Sequence, residues 1–355
     1  MTNVVALRPP AHQPDDHRLA ALIDGFVCQR RARQDVFWLK ENAELLGALA
    51  SGGTDVPLGA LAPWHDYYTQ IERSLRDFPQ YYRFILSIGL DLEALGMPGT
   101  RAEALCAQTV SAGLAEAELS DLQRAEARRL LTQRGQARPV GHGALGARLR
   151  RFITRSETFA TPNKKAAYEL THIVFYLSDY GRITPELDAA VSVSLEYAGL
   201  LAFLDRNMDL LAEVCAALRF AGQVPSPVWE AAVAAAHGAF VLRDDAGADL
   251  NDGYHEWLLT GWSAQIAQRG GLQASVPGGA LRFGRLGQGA RDSALRPMAA
   301  CICDMGPRRS GDWGRMRPHV MSYLDAEAHA VLVEAEGSTT RFGSFFEGFA
   351  RAEAV

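Results

Sequence analysis

The sequence predicts an all-α fold, and three observations carry the prediction. Apolar residues recur at spacings of three and four almost throughout the chain after residue 16, as in Leu19, Leu22, Ile23, Phe26 and Val27. Pro and Gly punctuate that pattern where helices would begin and end. Thr184-Pro185 and Ser226-Pro227 read as N-cap and N1 pairs, and Gly181, Gly222 and Gly270-Gly271 as stops. No strand-like alternation of any length competes. From 161 to 271 the helices are of similar length with short connections, which predicts antiparallel helical hairpins arranged as a toroid or a curved array.

Composition removes several function classes. The 36 Lys and Arg against 41 Asp and Glu give a formal net charge of −5, which offers no basic footprint for nucleic acid. No window approaches the roughly 18 consecutive apolar residues of a membrane span. The first 16 residues lack the apolar core of an export signal. The five cysteines are odd in number and sparse, and read as reduced thiols of a cytoplasmic protein. A chain of 355 residues can bury a sizeable core as one domain or two.

Taken in order, residues 1–15 read as a disordered tail and 16–136 as an N-terminal helical region. The first helix closes at the Arg-rich stretch 30–33. The second is capped by Asp35, carries Phe37, Trp38, Leu39, Leu45, Leu46 and Leu49, and stops at Ser51-Gly52-Gly53. The aromatic group Trp64, Tyr67, Tyr68, Tyr81, Tyr82 and Phe84 surrounds His65 and Asp66, and at helical spacing it reads as core. Helices follow at 101–112 and 116–134; the second places acids first and arginines last, as the helix dipole favours.

Residues 137–160 read as a basic Gly/Arg linker. Gly141-His142-Gly143-Ala144-Leu145-Gly146 spells a dinucleotide fingerprint, but no strand precedes it and no βαβ unit follows. The hairpin region 161–271 holds helices expected at 164–180, 184–204, 205–220 and 226–242, with another beginning near Tyr254. Residues 272–355 comprise a Gly-rich loop and helices near 322–336 and 342–350. A single domain over 16–355 is equally compatible with the pattern.

The unusual stretch is Lys164 to Gly181. Glu169, His172, Tyr176 and Asp179 share one helical stripe, while Leu170, Ile173, Val174, Phe175 and Leu177 make the remaining faces apolar. Such a helix is interior, so its seam must meet something polar. Asp179, placed in the last turn, opposes the helix dipole by about 0.3–1 kcal/mol and needs another partner. Glu169 and His172 have the Glu-x-x-His spacing of di-iron carboxylate bundles, which makes them the candidate metal ligands and iron or zinc the candidate metal. That site type needs a second copy, and the chain has one. His172 and Asp179 lie about 10 Å apart along a helix, a span suited to the two ends of a bound molecule.

His255 falls in the first turn of a helix capped by Asp252, where the dipole favours the neutral imidazole that a base requires. The stretch from Asp249 to Gly253 has the wrong spacing for calcium and no closing Glu. Cys301-Ile302-Cys303 lacks the second half of a zinc site.

Phe37 to Leu46, Tyr168-Glu169-Leu170-Thr171-His172 and Leu177-Ser178-Asp179-Tyr180-Gly181 together resemble an uncharacterised family of bacterial all-helical proteins, over most of the chain after residue 16. The resemblance implies that the Thr-His and Asp-Tyr-Gly elements are family hallmarks, and it brings no activity. Two function classes follow. The first is an enzyme with a buried pocket of His172, Tyr176, Asp179 and His255, joined by Glu169 and by His65, acting on a small organic molecule by acid/base or metal-assisted chemistry. The alternative is a non-catalytic binding or scaffold protein with a buried polar network and an aromatic partner surface.

Overall fold

A computed structural model describes residues 15–245, 252–272, 276–285 and 293–352. The expected tail up to residue 14, Asp249 to Asn251 of the calcium-like stretch, and Gly287, Gly289 and Arg291 of the Gly-rich stretch lie outside the described residues. Among the described residues the fold is all-α apart from one small two-stranded sheet. No described helix is long and apolar enough to cross a membrane.

Helix α1 (Asp15–Asp24) runs into a π-helical turn at 25–29. The Asp35 carboxylate accepts the Phe37 N–H at 2.9 Å and opens α2 (Val36–Ser51). Short helices α3 (His65–Thr69) and α4 (Ile71–Asp77) lead to α5 (Tyr82–Ala94), which packs along α2, and then to α6 (Arg101–Ser111) and α7 (Asp121–Thr132). The aromatic group is core as expected: Trp64 is fully buried, Tyr68 and Tyr82 nearly so, and Trp38, Trp64 and Tyr67 meet ring to ring. Tyr67, Tyr81 and Phe84 of the group are partly exposed, and Phe37 and Phe78 of the same region are exposed.

The stretch expected to be a linker contains α8 (Gly143–Ile153), which buries Leu145, Leu149 and Ile153 and packs on α7 and on α9 (Lys164–Leu177). Its glycines serve close packing. A Cβ on Gly146 would lie 2.3 Å from the Gly141 carbonyl oxygen. Gly146→Ala should accordingly cost about 1–3 kcal/mol in a urea titration, because neither backbone can yield. An unchanged midpoint would show that this approach is not required.

The central region continues with α10 (Ala189–Leu204), α11 (Met208–Phe220) and α12 (Pro227–Gly238). Asn163, Asp188 and Asn207 accept first-turn N–H groups of α9, α10 and α11 at 2.8–3.2 Å. The helix expected from Thr184-Pro185 thus begins at Ala189. Asp179, Tyr180 and Gly181 all take left-handed φ values of 45°, 54° and 83°, and a run of that kind cannot pass directly into a right-handed helix.

The helix expected to reach Leu242 ends at Gly238 and gives way to β1 (Phe240–Asp244). After α13 (Tyr254–Ile266), β1 pairs antiparallel with β2 (Leu281–Arg285), Leu242 opposite Phe283. The chain closes with α14 (Leu295–Met305), α15 (Trp313–Met321), α16 (Ala326–Ser338) and α17 (Phe342–Ala350).

In the region from 161 to 271 four helices pack against one. α11 is buried on almost every residue and packs against α9, α10, α12 and α13. One contiguous hydrophobic cluster runs from Leu22 to Ala350. The two carboxylates on the buried stretch of α11 therefore have to find partners inside the fold.

Candidate functional site

Those carboxylates are Asp209 and Glu213, four residues apart and so on one face of α11. Each reaches an imidazole on a flanking helix. The Asp209 carboxylate is hydrogen-bonded to Nδ1 of His255 on α13, and accepts the Tyr168 hydroxyl at 2.7 Å. Nε2 of His255 lies 3.7 Å from the Glu44 carboxylate on α2. On the α9 side, Nδ1 of His172 lies 2.8 Å from the Tyr168 carbonyl oxygen and 3.5 Å from Glu213. Glu213 accepts the Thr171 hydroxyl at 2.5 Å. Because a carbonyl only accepts, Nδ1 of His172 carries the proton, and Nε2 of the neutral ring keeps its lone pair.

His172, His255, Glu44 and Glu213 line one cavity of about 400 Å³, walled by α2, α5, α7, α9, α11, α13 and the turn after α9. One side is aromatic: Phe175 and Tyr180 lie 5.3 and 6.1 Å from Trp262, centroid to centroid, with Phe84 and Tyr176 beside them. The lining also includes Asp91 and Glu126 with Arg83, Arg129 and Arg182, and the Arg129 guanidinium lies over the Tyr180 ring.

Burial alone would lower the His255 pKa, but the Asp209 hydrogen bond and the Glu44 charge outweigh it and raise the value above the ordinary 6.5. Burial works against the Asp209 charge too, yet His255 and Tyr168 hold that carboxyl below its ordinary 3.8. Glu213 goes the other way: burial pushes it up, against the pull of His172 and Thr171. The neutral His255 expected from its helix start is thus corrected. Two carboxylates in close range outweigh a half-charge dipole, and the shift runs toward the charged form.

A pH window follows. The raised His255 contributes stability fully below pH 6.5 and loses it as pH rises through the higher folded pKa. The depressed Asp209 contributes above pH 3.8 and loses it as pH falls through the lower folded pKa. The stability gap between wild type and His255→Ala should be widest between those two values. A gap that does not vary with pH in urea titrations would contradict the pairing.

A family described as a domain of unknown function, DUF6902, matches residues 1–352. The chain belongs to this family. No curated protein and no solved structure matches the chain.

In this DUF6902 chain the seam read from α9 is divided. His172 and Tyr176 face the cavity and His255 joins them from α13, so three of the four expected catalytic residues converge. Asp179 does not line the cavity: it follows the helix end and accepts Arg129 Nη1 at 3.2 Å and Arg182 Nη1 at 3.5 Å. Leaving the helix removes the dipole conflict expected of it. Glu169 is partly exposed, 4.0 Å from the Lys165 ammonium and outside the cavity lining, so the structure does not bring it to a shared site with His172. His65 lies apart, exposed beside Leu61, Met97 and Pro98.

Among the described residues no group of three or more His, Cys, Asp or Glu side chains is arranged to hold a metal. Cys301 is buried and Cys303 exposed. Sequence reasoning passed over Asp209, Glu213, Glu44, Asp91 and Arg129. The available signal was two acids four apart in Met-Asp-Leu-Leu-Ala-Glu-Val-Cys-Ala-Ala-Leu, a helix otherwise apolar on every face.

Proposed function

We propose that this chain is an enzyme that moves protons on a small organic molecule held in the cavity, with the His255–Asp209 pair as acid and Nε2 of His172 as base. The observation that supports it is that two imidazoles from separate helices, each close to a carboxylate of the same buried helix, face one cavity. Ionisable groups brought together from separate helices into one enclosed cavity are candidates for proton transfer, and only one of the two imidazoles is hydrogen-bonded directly to a carboxylate of that helix. Tyr176, between the imidazoles and the arginine end, would orient the bound molecule. The metal-assisted variant, with Glu169 and His172 as ligands for iron or zinc, gains no support from a Glu169 paired with Lys165; proton transfer by the imidazoles does not require it. A cytoplasmic location fits the unpaired state of all five cysteines.

The test is direct. Wild type, His172→Ala and His255→Ala are incubated with a mixed small-metabolite extract, and the compounds consumed are followed by mass spectrometry. Wild type should consume at least one compound that both variants leave intact while circular dichroism stays unchanged. Identical profiles for the three folded proteins would overturn the proposal.

A further inference from the structure

The arginine end of the cavity holds a donor without an acceptor. Arg129 is nine-tenths buried, its guanidinium lies 4.8 Å over the Tyr180 ring, and its Nε is enclosed without an acceptor. Its ion-pair partner is Asp179, and Arg182 reaches the same Oδ1 of that carboxylate. Two guanidinium groups therefore share one carboxylate oxygen. A buried guanidinium with a donor unmet is costly, and an anion that satisfies it is correspondingly favoured.

The other carboxylates nearby do not fill that role. Asp91 is fully enclosed and hydrogen-bonded from Ser87 at 2.9 Å, and burial pushes its carboxyl up despite the pull of Arg129. Glu126 is held by Arg83, which also binds Glu118 at 3.0 Å, and Glu118 accepts the Tyr82 hydroxyl at 2.8 Å. That corner is acid-rich but internally satisfied, whereas the Arg129 corner has an unmet donor. Between the Arg129 guanidinium and the His172 ring stand the rings of Tyr180 and Phe175, with Trp262 set edge-on against Phe175.

We propose that the cavity takes a small aryl or similarly flat carboxylic acid, its carboxylate seated at Arg129 and Arg182 and its apolar body on the Phe175–Tyr180–Trp262 wall. This names the substrate class of the proton-transfer site proposed above and rests on that reading for its catalytic meaning, but not for its binding.

The test uses matched probes: benzoate and 3-phenylpropionate, their uncharged amides, and benzylamine, by calorimetric titration of the full chain. At least one acid should bind, at least about tenfold tighter than its amide, the size of one charge-assisted hydrogen bond. Arg129→Gln should remove that preference. If it fails to fold, Arg182→Gln, on the exposed side of the turn, should reduce it. The inference is overturned if neither acid binds, if the amides or benzylamine bind as tightly, or if folded Arg129→Gln and Arg182→Gln both keep the preference. Acid binding with no metabolite consumed would sink the proton-transfer reading alone, while consumption of neutral or cationic compounds only would sink the carboxylate assignment alone.

Discussion

Arg30→Met is expected to destabilise the protein by about 3–5 kcal/mol, the cost of stranding buried charges. The Arg30 side chain is wholly buried between Glu41 at 2.7 Å and Asp252 at 2.6 Å, and its Nη1 donates to the Leu281 carbonyl at 3.0 Å. Its guanidinium also lies 4.8 Å over Tyr254 and 5.2 Å over Phe283. One side chain thus joins the end of the first helical segment to α2, to the start of α13 and to β2. Without it Glu41 retains Arg31, but Asp252 loses its cation in a nearly buried position. Asp252 also accepts the Tyr254 and Phe283 N–H groups, so the entry to α13 should loosen, and His255 with it. Urea titration at neutral pH measures the loss; a change under about 1 kcal/mol would mean that the junction is held by packing alone.

His255→Ala should lower turnover of the compound identified by metabolite profiling by about 10²- to 10⁴-fold, the range for loss of a positioned general acid. Asp209→Asn should act through the imidazole. It keeps the side-chain shape but removes the charge that raises the His255 pKa, so the basic limb of the rate profile should move to lower pH along with the maximal rate falling. Asp209 is a positioning residue on this account, and a changed rate with an unmoved profile would assign it a purely structural role. Tyr168, which donates to the other oxygen of Asp209, should leave the basic limb in place or move it slightly to higher pH when replaced by Phe, because Asp209 keeps its charge.

The sequence made some of this arrangement legible and hid the rest for physical reasons. Helical periodicity is local, so a stripe on α9 could be read, and His172 and Tyr176 do face the cavity. Asp179 could not be placed by periodicity because the helix stops at Leu177 and the chain enters a left-handed turn, which Asp and Tyr adopt only under tertiary constraint. Glu169 lies on the partly exposed part of the same helix, beside a lysine four residues earlier.

The partners that complete the site are distant in the chain: Glu213 lies 42 residues from Thr171, and His255 lies 46 from Asp209. No spacing rule reports such pairings. The two strands were missed for a related cause, since each has five residues and pairs across the whole of α13. What sequence could have offered is the pair of acids on α11, because a helix buried all round cannot carry charge without a partner.

The most direct test of the central claim is a titration of the histidine ring signals by NMR, with His172 and His255 assigned from their alanine variants. The account predicts that His255 titrates above pH 6.5 and drops in Asp209→Asn, and that benzoate or 3-phenylpropionate shifts the signals of both rings together. A His255 that titrates at or below 6.5 and ignores Asp209→Asn would contradict it.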